Sequence, residues 1–119
     1  MAIGSLISAL LAVSAVEAQQ AFFAAVSDLP LMPGLVETAD AALVFDNPAG
    51  RIVELAATGA VAAGAVQAFY AETLPQLGWE PIGDSRYMRE GELLTLAVEA
   101  TSGGLVARFF IAPSEGPAP

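Results

Sequence analysis

VQAFYAETLPQLGW, residues 66–79, is the stretch that decides the fold. Its large apolar side chains recur at steps of three and four residues, which predicts a helix with one apolar face. These side chains belong to Val66, Phe69, Tyr70, Leu74 and Leu77. Gly78 stands where a left-handed residue would end the helix. Because Pro75 removes a backbone donor, either the last turn is kinked or the helix stops near Leu74.

Segments with strand-like patterns lie on both sides of this helix. The predicted strands are residues 41–46, 51–57, 86–90, 92–100 and 105–112. Asn47-Pro48-Ala49-Gly50 has the composition of a type I turn, and Thr101-Ser-Gly-Gly104 that of a glycine-containing hairpin turn. The order β-β-α-β-β-β predicts an α+β fold: a two-layer domain with an antiparallel sheet of about five strands and one amphipathic helix packed on one face. We expect acidic and polar strand residues to cover the other face.

Residues 1–18 have the features of an export signal. An apolar run over residues 3–16 is short for a membrane span and ends in Val16-Glu17-Ala18, a small-x-small cleavage pattern. The sequence therefore predicts a signal peptide over residues 1–18 and a periplasmic or secreted location. No Lys or Arg precedes the run, so an uncleaved anchor stays as the alternative.

The remaining boundaries follow from proline content. Residues 19–40 form an extended, Pro-containing lead-in, because Pro30 and Pro33 each disfavour helix at the preceding residue. This lead-in either covers the sheet or presents Leu31 and Met32 to a partner. Residues 41–112 form a single domain, and the polar, proline-rich residues 113–119 are predicted to be a disordered tail.

The composition excludes most catalytic chemistry. The chain has no His, no Cys and, among its four basic residues, no Lys. Imidazole bases, thiol nucleophiles, Schiff bases and P-loops therefore lack their essential residues. We expect no enzyme activity, no cofactor and no metal. A carboxylate pair (Glu90 with Glu92, or Asp40 with Asp46) and a cation site built from Asp84, Glu90 and Glu92 remain formal alternatives to solvated turn residues.

The formal net charge of −9 bears on partners. Nucleic acid and anionic membranes both require a basic patch for affinity, so neither is expected as a partner. An acidic surface suits solubility or a basic protein partner. No stable membrane anchor is expected unless the signal peptide is retained.

Arginines and aromatic residues supply the other candidate contacts. Arg51 is expected to pair with Asp46 or Glu54. Arg86 and Arg89 form either an anion-recognition patch or cross-strand ion pairs that fix the register. Trp79 and Tyr87 line either a ligand pocket or the edge of the core. The candidate partner or ligand contacts are Leu31, Met32, Arg51, Trp79, Arg86, Tyr87 and Arg89.

Four motifs resemble a family of small exported proteins of alphaproteobacteria. They are LPLMPGL (29–35), FDNPAGRIVE (45–54), FYAETLPQLGW (69–79, an FYxxTLPQLGW pattern) and RYMREGELL (86–94). The resemblance covers roughly residues 29–113, and it implies a cell-envelope location without an assigned activity or catalytic residue. A fainter similarity, in element order alone, is to the helix-grip modules of outer-membrane assembly lipoproteins, which supports no function by itself.

Two functions remain open at this stage. The first is a non-catalytic exported domain that binds a protein partner in the cell envelope through the lead-in or an exposed sheet edge. The second is a carrier that holds a small apolar ligand between helix and sheet near Trp79. An enzyme that uses carboxylates alone is a distant third.

Overall fold

The structure, a computed structural model, describes residues 20–114 and confirms the α+β class. Its strands are β1 (Ala21–Phe22), β2 (Pro30–Leu31), β3 (Val36–Glu37), β4 (Leu43–Asn47), β5 (Gly50–Gly59), β6 (Glu80–Gly83), β7 (Arg86–Arg89), β8 (Glu92–Thr101) and β9 (Gly104–Pro113). The α-helix, α1, spans Ala63–Thr73, and 3-10 helices span Ala39–Ala41 and Leu74–Leu77. The signal peptide predicted over residues 1–18 and the tail beyond residue 114 lie outside the described residues.

The expected number of strands, five, is too low. β1, β2 and β3 have two residues each, which is too short to show an alternating pattern in the sequence. β6 contains Pro81, which weakens the sequence pattern of a strand. These four strands exist because neighbouring chain segments supply their partners, and a local pattern does not contain that information.

All strand pairs in residues 20–114 are antiparallel. β1 and β2 form a separate two-stranded sheet, and the seven-stranded sheet has the order β3-β5-β9-β8-β7-β6. β4 pairs with β5 on the same side as β3, because β9 occupies the other side of β5. The long strands β5, β8 and β9 form the centre, and the two edges are β3 with β4 on one side and β6 on the other.

The helix covers one face of the sheet with three of its predicted apolar residues. Val66, Tyr70 and Leu74 are fully buried. Phe69 is partly buried, whereas Leu77 is 37% exposed and contributes less cover than expected. The α-helix proper stops before Pro75, the chain tightens into a 3-10 turn, and Gly78 ends it with a φ of 94°.

Residues 20–35, which precede β3 and which we call the N-terminal segment, pack on the same face as the helix. Phe23, Val26, Leu29 and Leu35 are buried in the core. The Phe23 ring contacts the Phe109 ring edge-on, with a centroid separation of 5.2 Å. This segment therefore covers the sheet, which is one of the two alternatives predicted for the lead-in.

Tyr70 attaches this segment to the helix. Its buried hydroxyl donates a hydrogen bond to the Pro30 carbonyl (2.7 Å) and accepts one from the Met32 N–H (3.1 Å). The Tyr70 ring also packs edge-on against Phe109 at 5.0 Å. One side chain thus links the helix, the N-terminal segment and β9.

The two faces of the seven-stranded sheet differ in cover. We call the face under the helix the covered face; its buried residues are Val53, Leu55, Ala57, Leu94, Leu96, Leu105, Ala107, Phe109 and Ile111. We call the opposite side the open face. The expectation that acidic and polar residues occupy the open face is wrong in part, because Leu43, Phe45 and Phe110 are exposed there.

Candidate functional site

The open face carries a group of apolar side chains around β4, β5 and β9. In one row across the sheet, Leu43 is opposite Glu54, Glu54 is opposite Phe110, and Phe110 is opposite Thr95. In the next row, Phe45 on β4 is opposite Ile52 on β5. Further along the same row, Ala112 on β9 is opposite Leu93 on β8, and Leu93 is opposite Met88 on β7. We call the two rows together the open-face patch.

The open-face patch is accessible from solvent. Leu43 is 45% exposed, Phe45 47% and Phe110 39%. Single exposed apolar residues are ordinary, but a contiguous group rimmed by polar side chains is typical of an interaction site. Glu54 and Thr95 lie within the patch, so it combines apolar area with hydrogen-bonding groups.

β4 contributes Leu43 and Phe45 to the patch and forms part of a sheet edge. All five of its residues are exposed, and within residues 20–114 it pairs with β5 alone. Its apolar residues point to both faces, since Val44 is 46% exposed on the side opposite Leu43 and Phe45. A regular, apolar edge strand is a ready template for pairing with another chain.

A second feature is a cluster of charges at one end of the covered face. Arg51 binds Glu92 through two hydrogen bonds, Nε to Oε2 at 2.7 Å and Nη2 to Oε1 at 3.1 Å. Arg51 also lies 3.7 Å from Asp28, and Arg89 donates a 2.8 Å hydrogen bond to the same Asp28 carboxylate. The expectation that Arg51 pairs with Asp46 or Glu54 is wrong, because its side chain reaches these carboxylates of the N-terminal segment and β8 instead.

The charges of this cluster balance internally. An open cleft of about 410 Å³ lies beside Asp28, Arg51, Arg89 and Glu92. Partial burial raises the pKa of Asp28, but the hydrogen bond from Arg89 and the charge of Arg51 outweigh it, so the pKa lies below its ordinary value. The hydrogen bonds to Glu92 raise the pKa of Arg51. With two guanidinium groups and two carboxylates, the cluster has no excess charge to attract an ion.

Trp79 lies beneath this cluster. It is 2% exposed, and the Arg89 guanidinium carbon lies 4.3 Å from the centroid of its ring, a cation–π contact. The indole Nε1 of Trp79 and the Nε of Arg89 are buried and have no hydrogen-bond partner among the described residues. Trp79 therefore packs as part of the core edge, and a ligand would have to displace Arg89 to reach it.

The other predicted contacts are dispersed. Leu31 and Met32 pack partly buried against the core, and Tyr87 is 5% exposed on the covered face, where burial raises its pKa. Arg86 is exposed on the open face, opposite Thr95. Of the seven predicted residues, Arg51 and Arg89 meet in the charge cluster above Trp79, whereas Leu31, Met32 and Tyr87 belong to the core and its edge.

The three carboxylates of the predicted cation site do not come together. Glu90 and Glu92 lie near the first cleft, whereas Asp84 lines a different cleft between the helix and the β6–β7 hairpin. No group of three metal-ligating side chains occurs within the described part of the chain. Glu90 has a φ of 47°, which is unusual for a residue with a side chain, and it forms with Gly91 the tight turn between β7 and β8.

The residues of the open-face patch are not among the candidate contacts predicted from the sequence. Leu43 and Phe45 alternate along a predicted strand and so share one face, but alternation alone does not tell whether that face is covered. The available signal was Val44 between them: three successive apolar residues in a strand of five leave at least one apolar side chain outside the core.

Comparison with family models, with curated proteins and with solved structures gives no match to this chain. Within residues 20–114, no helix is both long enough and apolar enough to cross a bilayer.

Proposed function

We propose that this protein is a non-catalytic binding module of the bacterial cell envelope whose ligand is another protein. The observation that supports the proposal best is the open-face patch, in which Leu43, Phe45 and Phe110 stay exposed next to the sheet edge that β4 forms within residues 20–114. The apolar run and the cleavage pattern before residue 19 favour export, and the missing His, Cys and Lys disfavour an enzyme.

The patch fits a protein better than a small molecule. It is spread over several neighbouring strands rather than enclosed, and small-molecule sites are usually concave. Protein interfaces enrich aromatic residues at their centre and place polar residues around them. Phe45 and Phe110 are such aromatic residues, and Glu54 and Arg86 lie on the same face.

Site-specific photo-crosslinking tests the proposal. A photoreactive amino acid in place of Phe110 should crosslink the full chain to one discrete partner in envelope extract. The matched control places it at Gln67, an exposed position on the helix. Crosslinks of equal yield and pattern from both positions, or none from Phe110, would contradict the proposal.

The alternative, a carrier of a small apolar ligand, has one observation in its favour. An open cleft of about 510 Å³ lies between the helix and the β6–β7 hairpin, lined in part by Ala71, Pro81 and Tyr87. Trp79 is not among its lining residues, so the ligand position expected near Trp79 shifts to Tyr87. A panel of lipids and quinone-like compounds should then raise the thermal unfolding temperature, and replacing Ala71 with Trp should abolish the effect.

A further inference from the structure

Among residues 20–114, no strand pairs with the outer edge of β4, which presents its backbone groups there. β4 and β5 are joined by a two-residue turn that closes on Asn47 and Gly50, and such a turn closes on a hydrogen-bonded pair. Hydrogen-bonded and non-hydrogen-bonded pairs alternate along antiparallel strands, so Val44 and Asp46 belong to non-hydrogen-bonded pairs. The N–H and C=O groups of Val44 and Asp46 therefore point away from β5.

Two further observations agree that the N–H and C=O groups of Val44 and Asp46 point away from β5. The β8–β9 turn closes on the hydrogen-bonded pair Thr101 and Gly104, so the N–H and C=O groups of even-numbered residues of β9 point to β8. Those of odd-numbered residues of β9 point to β5, and their partners on β5 are also odd-numbered. The even-numbered groups of β5 then point to the β4 side, which agrees with the 2.8 Å hydrogen bond from the Thr38 N–H to the Ala56 carbonyl. The free groups of β4 are thus aligned for another strand.

The opposite edge of the sheet is protected against such pairing. Counted from the β7–β8 turn, which closes on Arg89 and Glu92, the backbone groups of Tyr87 point to β8. Its partner Pro81 on β6 therefore occupies an outward-pointing position, where it has no N–H to offer. The register of β6 also shifts between Pro81 and Gly83. Proline and bulges are both common ways to block an edge, and β4 has neither.

The side chains around β4 define what an added strand would carry. A neighbouring strand continues both faces of the sheet, so alternate side chains would lie beside Leu43 and Phe45 on the open face. Those in between would lie beside Val44 and Asp46 on the other face. Cross-strand neighbours stabilise a sheet when apolar meets apolar and opposite charges meet.

The charges around β4 favour a basic partner. Asp40, Asp46 and Glu54 are exposed, and none of them takes part in an ion pair within residues 20–114. A second copy of this chain would bring the same three carboxylates and a further net charge of −9 to the edge, which opposes association. A segment with Lys or Arg would instead bring opposite charge to this edge and could pair with Asp46, which lies on the face opposite Leu43 and Phe45.

We infer that β4 accepts an extended segment of a partner protein as an additional strand, in which apolar residues alternate with Lys or Arg. The apolar residues pack beside Leu43 and Phe45 and extend the open-face patch, and the basic residues lie beside Asp46. This mode of recognition uses main-chain hydrogen bonds for affinity and alternate side chains for specificity. The inference rests on the proposed function and adds the binding mode and the chemistry of the partner.

Amide hydrogen exchange on the full chain tests the binding mode without any substitution. The probe is a short peptide that alternates valine with lysine, and its matched control carries glutamate in place of lysine. At a probe concentration about ten times its Kd, exchange at Val44 and Asp46 should slow by about tenfold. Exchange at Phe45, whose N–H already faces β5, should not change. Protection that leaves Val44 and Asp46 unaffected would overturn the inference.

A proline substitution then tests whether the free backbone groups are required. Val44→Pro copies the arrangement of Pro81 on the other edge and removes an N–H that β5 does not use. We expect the affinity for the lysine probe to fall about tenfold or more, whereas the control Val44→Thr changes it little. Since Val44→Pro could disturb β4 itself, Asp46→Asn provides a second variant, which should weaken the lysine probe and strengthen the glutamate control.

The outcomes separate this inference from the proposed function. If crosslinking from Phe110 finds a partner but Val44→Pro binds the lysine probe normally, the partner lies on the open face without strand addition, and only the inference fails. A concentration-dependent doubling of mass that Val44→Pro prevents would identify a second copy as the occupant and would also overturn it. If neither probe binds and no crosslink forms, both proposals fail.

Discussion

Phe109 and Phe110 are neighbours in β9, and they show how differently the two faces of the sheet are used. Phe109 is fully buried between Phe23 and Tyr70, whereas Phe110 is 39% exposed in the open-face patch. The same side chain on the same strand thus serves the core at one position and remains accessible at the next. We infer that the covered face provides the stability of the domain and that the open face is available for binding.

The largest expected effect separates these two phenylalanines. Phe109→Ala should lower the free energy of unfolding by about 3–5 kcal/mol, because it removes a ring from the packed core and leaves a cavity. The matched variant Phe110→Ala should lower it by less than about 1 kcal/mol. Urea unfolding of both variants provides the measurement. Equal losses would show that the two faces do not differ in this way.

The hydroxyl of Tyr70 tests how firmly the N-terminal segment is held on the covered face. Tyr70→Phe should reduce stability by about 1–3 kcal/mol, since the Pro30 carbonyl and the Met32 N–H both lose their partner in a buried setting. Tyr87→Phe is the control, because the Tyr87 hydroxyl has no hydrogen-bond partner within residues 20–114. A loss of similar size in both variants would count against the attachment.

Alkaline pH should destabilise the protein through the same face. Burial raises the pKa of both Tyr70 and Tyr87 above their ordinary value. Their folded forms therefore hold the proton more tightly, and this contribution, fully present below the ordinary tyrosine pKa, is lost as pH rises beyond it. Above about pH 10 the free energy of unfolding should fall by up to roughly 1.4 kcal/mol per pH unit for each tyrosine. Unfolding curves of Tyr70→Phe at the same pH values should show a shallower decline.

Substitutions on the open face should change the exposed apolar surface more than the free energy of unfolding. Replacing both Phe45 and Phe110 with Thr should change stability by less than about 1 kcal/mol and should reduce the binding of a dye for exposed apolar surface. Phe22→Thr is the control, because Phe22 is exposed to a similar extent, 43%, but lies in the small β1–β2 sheet. If Phe22→Thr lowers dye binding by the same amount, the patch does not act as one surface.

The smallest expected effect concerns the charges at the end of the covered face. Asp28 is half exposed, so Asp28→Asn should cost less than about 1 kcal/mol at neutral pH. Its pKa is lowered in the fold, so its stabilising effect is present above the ordinary carboxylate pKa and is lost as the pH falls through the lowered value. The difference between the wild type and Asp28→Asn should therefore vanish in acid. A difference that persists there would point to a packing effect.

Much of the covered face could be predicted from the sequence. The helical spacing of Val66, Tyr70 and Leu74 predicts one apolar face of the helix, and these three side chains are buried. The Asn47–Gly50 turn was also predicted, and the structure joins β4 to β5 there. These features succeed because each pattern repeats with the geometry of its own element, so a local stretch of sequence contains enough information.

The rest depends on contacts between distant segments. Alternation shows that a strand has two faces, but it does not say which face another layer will cover, so it does not reveal that Leu43 and Phe45 stay exposed. Arg51 has Asp46 directly opposite on β4, yet it binds Glu92, which is far away in the sequence. The two-residue strands β1 and β2 likewise exist only because the folded chain brings them together.

The attachment of the N-terminal segment through Tyr70 and Phe109 also orders the events of folding. The segment that includes Phe23 and Leu29 precedes the helix and the long strands, whereas β9, on which Phe23 packs, comes after all the other strands of residues 20–114. Contacts across such a long loop form slowly, because the chain between them must be ordered first. Phe23 and Leu29 therefore have no complete core to pack against until β9 has joined the sheet. We expect their docking to be the final step of folding and the first to be lost on unfolding.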